Sequence, residues 1–328
     1  MLKIDVSKEY RSKYPDMPTL KLARIMYAEN NLLFTNVDAA RTSLRYIEGK
    51  QGNTHRKRVA GSEFGRDGER PKNPYNLPKS DETEYLPYII DGERVLVLSD
   101  VHIPYHSVSA LTAALDYSKK RDPDTILLNG DTIDAHHLSR FIKDPKKRDF
   151  AGELNMFRDF ITVLRETFPK AKIIFKEGNH DERYNHFLMM KANELAGIDE
   201  FKLENIIRKR AGDIDYVGDK RIIKAGELNI IHGHEFGGSI FSPVNIARGL
   251  FLRAKVSAMQ GHNHQTSEHT ESNMNGSIVT TWSLGCLSEL HPAFLPINKW
   301  NHGFAFIDVY KDGTFDVANK RIKDGKVL

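Results

Sequence analysis

Apolar residues recur along this chain in two rhythms, separated by a stretch that has neither. Near the N-terminus the spacing is helical. Leu22, Ile25 and Met26 follow Thr19, the expected cap of a helix starting near Leu20. After Asn30-Asn31, Asn36 is the expected cap of a second helix. Its Val37, Ala40, Leu44 and Ile47 repeat at i, i+3, i+7 and i+10, and Gly49 is a natural stop. From residue 93 to 310 short apolar runs take over. Val95–Leu98, Thr125–Leu128, Ile173–Phe175, Leu228–Ile231 and Val256–Met259 read as buried strands, with Ile278–Trp282 and Phe304–Val309 as later ones. Helical stripes interleave them. Phe157, Phe160, Ile161 and Leu164 mark a helix packed on a sheet, and Ser242-Pro243 is the expected start of a helix running toward Ala254. Between the two rhythms lies Gly49 to Glu84, rich in Gly and Pro and without period. The pattern predicts an α/β protein in three parts: a helical module over 1–50, a basic Gly/Pro-rich linker or arm over 51–88, and a main domain over 89–328.

Composition narrows the class. A hydrophobic fraction of 40% suffices for a packed core and excludes global disorder. The apolar runs are far shorter than the roughly 18 residues needed to cross a bilayer, so no membrane association is expected. The first residues carry no long apolar stretch of the secretory kind. A single Cys among 328 residues excludes a disulfide framework and suits a reducing, cytoplasmic compartment, whereas 14 His call for an explanation.

Net charge is only +4, but its distribution is uneven. Arg41, Arg45, Lys50, Arg56, Lys57 and Arg58 face a single acid, Glu48, across that interval. One reading is a helix-turn-helix-like module with a basic arm that grips nucleic-acid phosphates. The other is a helical hairpin with a solvated charge run.

Chemistry enters at the strand ends. The first five runs lead into Asp100-x-His102, Gly130-Asp131-x-x-Asp134, Gly178-Asn179-His180-Asp181, His232-Gly233-His234 and Gly261-His262-x-His264. Each alone is weak, since an Asx at such a turn can simply cap a helix. Together, carboxylates, an amide oxygen and imidazoles at one sheet edge suit borderline divalent metals, Mn, Fe or Zn, over Ca or Mg. A pair of such ions can clamp the oxygens of a phosphoryl group during in-line displacement.

In this order the five motifs resemble the calcineurin-like metallophosphoesterase superfamily. The resemblance implies a β-sandwich of two mixed sheets flanked by helices, and a phosphoesterase with two divalent ions, Mn above all, that acts by attack of a metal-bound hydroxide. It implies that Asp100, His102, Asp131 and His264 hold one ion, and that Asp131, Asn179, His232 and His262 hold the other. His180 would protonate the leaving oxygen and Asp134 would orient it, while His234 would stand behind the ligands. His136, His137, Asp181 and Arg183 are further candidates around the cleft.

The protein Ser/Thr phosphatase branch continues the second motif with Arg-Gly and ends the third with Glu. Here Ala135-His136-His137 and Asp181 stand there instead, so the usual phosphate-holding arginine is missing. Arg140, Lys143, Lys146, Lys147 and Arg183 are nearby basic residues, and no spacing selects one. The basic front favours a phosphodiesterase or nuclease acting on nucleic acid. The alternatives are a phosphomonoesterase whose front is a lid or dimer contact, and a nucleic-acid-binding protein with an inert esterase domain. The layout is also similar to phage-encoded phosphoesterases, which would act in the host cytoplasm.

Overall fold

The computed structural model describes residues 2–51, 77–78, 85–142, 149–237, 244–272, 274 and 276–328. The chain divides into two compact units, residues 1–84 and 85–328. Most of the 51–88 arm, including Arg56, Lys57 and Arg58, lies outside the described residues, as do Lys143, Lys146 and Lys147.

Among the described residues the first unit holds three helices: α1 (Lys3–Lys13), α2 (Thr19–Glu29) and α3 (Val37–Ile47). Val6, Leu22, Met26, Phe34, Ala40, Leu44 and Ile47 form its core. The Asn36 side chain accepts from the Ala39 amide at 2.8 Å, the expected cap of α3. Gly49 takes a positive φ of 71° where that helix stops. Two expectations change. A helix precedes the pair that the spacing predicts. Thr19 does not cap α2; its hydroxyl donates to buried Glu48 at 2.6 Å, and Pro18 holds the cap position.

The second unit is a two-sheet sandwich. One sheet has seven strands in the order β13-β12-β11-β2-β3-β4-β5, built around β2 (Arg94–Leu98), β3 (Thr125–Asn129), β4 (Lys172–Lys176) and β11 (His302–Val309). Its remaining strands are β5 (Asp215–Val217), β12 (Phe315–Lys323) and β13 (Lys326–Val327). The other has six, β1-β6-β7-β8-β10-β9. Its strands are β1 (Tyr88–Ile90), β6 (Ile223–Ala225), β7 (Leu228–Ile230), β8 (Ala258–Gln260), β9 (Ser267–Ser272) and β10 (Ile278–Ser283). Both sheets are mixed. β2 through β5 run parallel, and β11 pairs antiparallel with β2.

Side-chain alternation explains the sandwich. Val95, Val97, Leu127 and Ile174 meet Ile223, Leu228, Ile230 and Met259 between the sheets. Leu96, Leu98, Ile126, Leu128 and Phe175 point to the opposite face, into a core with Phe157, Ile161 and Leu164. Those last three belong to α5 (Phe150–Thr167), whose helical stripe is the one predicted. The other helices of this unit are α4 (Val108–Lys119), α6 (Arg183–Lys191), α7 (Leu203–Ala211) and α8 (Ile246–Ala254). Asn245 caps α8 by accepting from the Arg248 amide, so that helix starts later than expected, and Ser242-Pro243 lie outside the described residues. Among the described residues no helix is long and apolar enough to cross a membrane.

Candidate metal centre

The parallel strands β2, β3 and β4 end side by side, so their following loops form one row. The ends of β7 and β8 complete it from the second sheet. Backbone bonds tie the loops together: Asp100 N–H to Gly130 O at 3.1 Å, His102 N–H to Asp131 O at 2.9 Å, and Gly261 N–H to His232 O at 2.8 Å. Asn129, the last residue of β3, crosses between the sheets by donating from its side chain to Ile231 O at 2.9 Å.

Glycines make this closeness possible. A Cβ on Gly261 would lie 2.0 Å from Ser99 Oγ and 2.5 Å from an Asp100 oxygen. Gly130, at φ +84°, would place one 2.3 Å from His232 Nδ1. The candidate ligands are themselves in unusual backbone. Asp100, His102, Asp131, His262 and His264 all have φ between 50° and 65°. Such left-handed residues cost on the order of 1–3 kcal/mol each and persist where surrounding structure overrides the cost, chiefly at functional sites.

Three groups of donors converge within 4.8 Å: Asp100, His102 and His264; Asp131, His232 and His262; and His102, Asp131 and His180. Asn179 Oδ1 stands 3.2 Å from His232 Nε2. Asp131 links the groups through one oxygen. Its Oδ2 is 3.2 Å from His232 Nε2 and 3.8 Å from His102 Nε2, while Oδ1 accepts the His180 amide at 2.8 Å.

Hydrogen bonds at the far ring nitrogens set the tautomers. His102 Nδ1 bonds Asp134 Oδ1 at 2.9 Å and His232 Nδ1 bonds Asn129 O at 2.8 Å, which fixes Nδ1 as a protonated nitrogen and turns each Nε2 inward, able to bind an ion once it carries no proton. His262 Nδ1 is buried without a hydrogen-bond partner among the described residues.

The electrostatics belong to a cation site filled by protons. Burial disfavours charge on His232, but the Asp131 carboxylate overrides it and holds the imidazole up at about 10. Burial likewise opposes charge on His264, and Asp100 raises it to about 10. His262, buried and beside His232, falls to about 4. Burial would raise Asp100 and Asp134, yet their histidine partners hold both below the usual carboxylate range. Without a metal, imidazolium neutralises these acids, and an ion entering the site must displace those protons. Oxygen and nitrogen donors, negative carboxylates and inward-turned ring nitrogens fit divalent ions of the Mn, Fe or Zn kind.

Beside the donors lies a second assembly. Asp134 Oδ1 accepts from His180 Nδ1 at 2.8 Å as well as from His102, so one carboxylate orients both rings. With Nδ1 protonated, His180 Nε2 accepts from Arg183 Nη2 at 2.9 Å. Arg183 also donates to Asp134 O at 2.8 Å. His180 could complete the third donor group, but a guanidinium against its Nε2 repels a cation there. Of the two described basic candidates, Arg140 and Arg183, Arg183 is the one hydrogen-bonded at the centre.

The remaining candidates fall outside the converging donors. Asp181 is fully buried and accepts the amides of Ile133 at 3.0 Å and Gly178 at 2.9 Å, tying two site loops together. Burial and the Asp131 charge push its carboxyl well above the usual range. His234 pairs with Glu182 at 2.9 Å. His136 and His137 occupy a short 3-10 turn, and His137 approaches Glu153 at 3.7 Å. In the first unit Arg41 and Arg45 are half-buried; Arg41 nears Asp38 at 3.8 Å and Arg45 donates to Lys50 O at 2.9 Å. Lys50 nears Glu48 at 3.8 Å.

One support escaped sequence reasoning, and Trp300, a minor candidate by sequence, stands beside the centre. Glu235 accepts the amides of His232 at 2.8 Å and Gly233 at 2.7 Å, and fully buried Lys176 pairs with it at 2.8 Å. Trp300 lays its ring 4.2 Å from that of His264. A lysine closing a β-run next to Gly-Asn-His-Asp was the one available signal for the Glu235–Lys176 support.

This fold and donor set define a metallophosphoesterase. The chain belongs to the calcineurin-like phosphoesterase family, whose model matches residues 93–272, and is a metal-dependent hydrolase of phosphate esters. It is 26% identical over 232 residues to the Gene 54 protein of Mycobacterium phage L5, covering 66% of this chain and 89% of that protein. Among solved structures, a Vps29 single mutant from Entamoeba histolytica matches at 14% identity and TM-score 0.36, over 72% of this chain and 96% of that one. YfcE, a phosphoesterase from E. coli, matches at 13% identity and TM-score 0.32, over 69% and 98% respectively.

Proposed function

We propose that the chain is a two-metal phosphodiesterase acting on nucleic acid, with manganese as the preferred ion. The observation that carries this reading is the Asp134–His180–Arg183 assembly beside the converging donors, next to a cleft of about 510 Å³ whose lining includes Asn179, Arg183 and Phe141. Asp100, His102, His264 and Asp131 would hold one ion, and Asp131, Asn179, His232 and His262 the other. The ions, when bound, polarise phosphoryl oxygens and activate water.

The chain's own groups do the rest. Arg183 turns from His180 to a phosphate oxygen, and His180 Nε2 takes up a proton. Hydrolysis forms a bond from water oxygen to phosphorus, the water's proton passing to solvent, and breaks the bond to the leaving oxygen, which receives the proton that His180 took from solvent. Asp134 holds the ring and stabilises its charge through Nδ1–H. A phage origin, suggested by the likeness to the phage L5 protein, would place the reaction in a host cell. The second reading, a phosphomonoesterase, keeps the same donors and needs no cleft.

The test is hydrolysis with Mn²⁺ of bis(p-nitrophenyl) phosphate, p-nitrophenyl phosphate and labelled single- and double-stranded DNA, with EDTA controls. Diester and DNA cleavage that EDTA abolishes is expected; monoester cleavage alone would replace this reading with the second. His180→Ala should retain metal and lose about 10²–10⁴-fold in kcat on a poor leaving group. Unchanged turnover there removes the proton-donor role.

A further inference from the structure

The cleft of about 510 Å³ next to Asn179 and Arg183 supports the diester reading, but no part of the substrate has yet been assigned to it. We propose that it binds the base of a nucleoside on the leaving side of the scissile phosphate, with Arg183 holding the phosphate at its mouth. The inference rests on the diester reading and names the part of the substrate that reading leaves open.

Helix α6 supplies one wall. Arg183, His186 and Met190 stand at i, i+3 and i+7 and share a face, with Met189 beside them. Because the helix starts just after His180, that face runs outward from the donors. Phe141 lies across the cleft. Phe141 is 58% exposed, Met189 66% and Met190 59%: three large apolar side chains left in water around a cationic mouth.

Both neighbouring guanidinium groups lie within cation–π reach of the Phe141 ring, Arg140 at 5.8 Å and Arg183 at 6.0 Å. A flat, exposed ring with two guanidinium groups nearby offers a base a face to stack on. Methionines adapt to bases of different size. The volume lies within the usual range for small-ligand sites. Direction follows from Arg183, whose Nη2 is 2.9 Å from the His180 nitrogen that serves the leaving oxygen. Whatever that oxygen carries extends into this cleft.

The experiment compares kcat/KM of the full chain with Mn²⁺ on a thymidine dinucleotide and on the same compound with an abasic residue on the leaving side. p-Nitrophenyl phosphate is run alongside. The base-bearing dinucleotide should be preferred by about tenfold or more. Phe141→Ala and Met190→Ala, both at exposed positions, should each shrink that ratio toward one. Equal rates on the two dinucleotides in the unaltered protein would overturn the proposal and leave the diester reading standing. Equal losses on both dinucleotides in the variants would overturn it too, because the base would then sit elsewhere. Cleavage of p-nitrophenyl phosphate with neither dinucleotide touched would sink the diester reading and this proposal together.

Discussion

Each of the two compact units buries a cluster of charge, and the clusters differ in kind. In the first unit Glu48 receives the Arg11 guanidinium and the Thr19 hydroxyl. Arg11 spends further bonds on the carbonyls of Tyr14 and Met17, at 3.2 and 2.7 Å. The charges are matched by the chain itself, between α1, α2 and the residue that ends α3. In the second unit Asp100 and Asp131 face several imidazoles on strained, left-handed backbone, and His262 Nδ1 has no hydrogen-bond partner among the described residues. Protons on His232 and His264 supply the positive charge that Asp131 and Asp100 face. A buried cluster that closes on itself holds a fold together. One that converges under strain and borrows protons is prepared for a cation.

The largest effect should come from the second cluster. Asp131→Ala removes the carboxylate that joins the two donor groups. Mn²⁺-dependent ester hydrolysis should fall on the order of 10³-fold or more, as several kcal/mol of charge stabilisation go with the ion. Equilibrium dialysis should show reduced metal uptake; full uptake and activity would erase the contrast. Next, Glu48→Ala strands the buried Arg11 charge and should cost about 3–5 kcal/mol in the first unit, without altering hydrolysis of small esters. Hydrogen exchange across Lys3–Lys13 reads that loss, and unchanged protection would show that the cluster does not hold the helices.

A further buried carboxylate, Glu153, sharpens the boundary between the two kinds. Glu153 accepts the Ala135 amide at 2.9 Å, and burial pushes it up to about 8 against that amide's pull. Its folded value lies above the unfolded one near 4.3, so its contribution is fully present below about pH 4.3 and is lost as pH rises through 8. Glu153→Gln, which cannot ionise, should flatten the decline in Tm between pH 5 and 8. Parallel profiles for variant and unaltered protein would rule out the protonated carboxyl. This is the smallest of the three effects.

Much of the candidate site was legible because its possible donors follow short apolar runs. A β-run with a polar tip is a local signal, and the runs ending at Leu98, Leu128 and Phe175 lie within the observed strands. Other elements were hidden for physical reasons. β9 and much of β12 are only partly buried, so their sequences, Ser-Glu-His-Thr-Glu-Ser and Phe-Asp-Val-Ala-Asn-Lys-Arg-Ile-Lys, carry little apolar signal. α1 is largely polar, with Val6 as its buried apolar residue. Thr19 misled because a hydroxyl at a helix start serves a cap or a distant carboxylate equally well, and only packing brought Glu48 to it.

By itself the sequence determined the identity and order of the donors and the apolar strands that carry them, since both are written in residue type and local spacing. Tertiary structure decided which donors share a group, that one oxygen of Asp131 serves both, and that Arg183 reaches His180. Those relations depend on which strand ends lie side by side and on how closely glycine lets the loops approach. Distances across a sheet edge of this kind are set by pairing between residues far apart in the chain, and no local pattern encodes them.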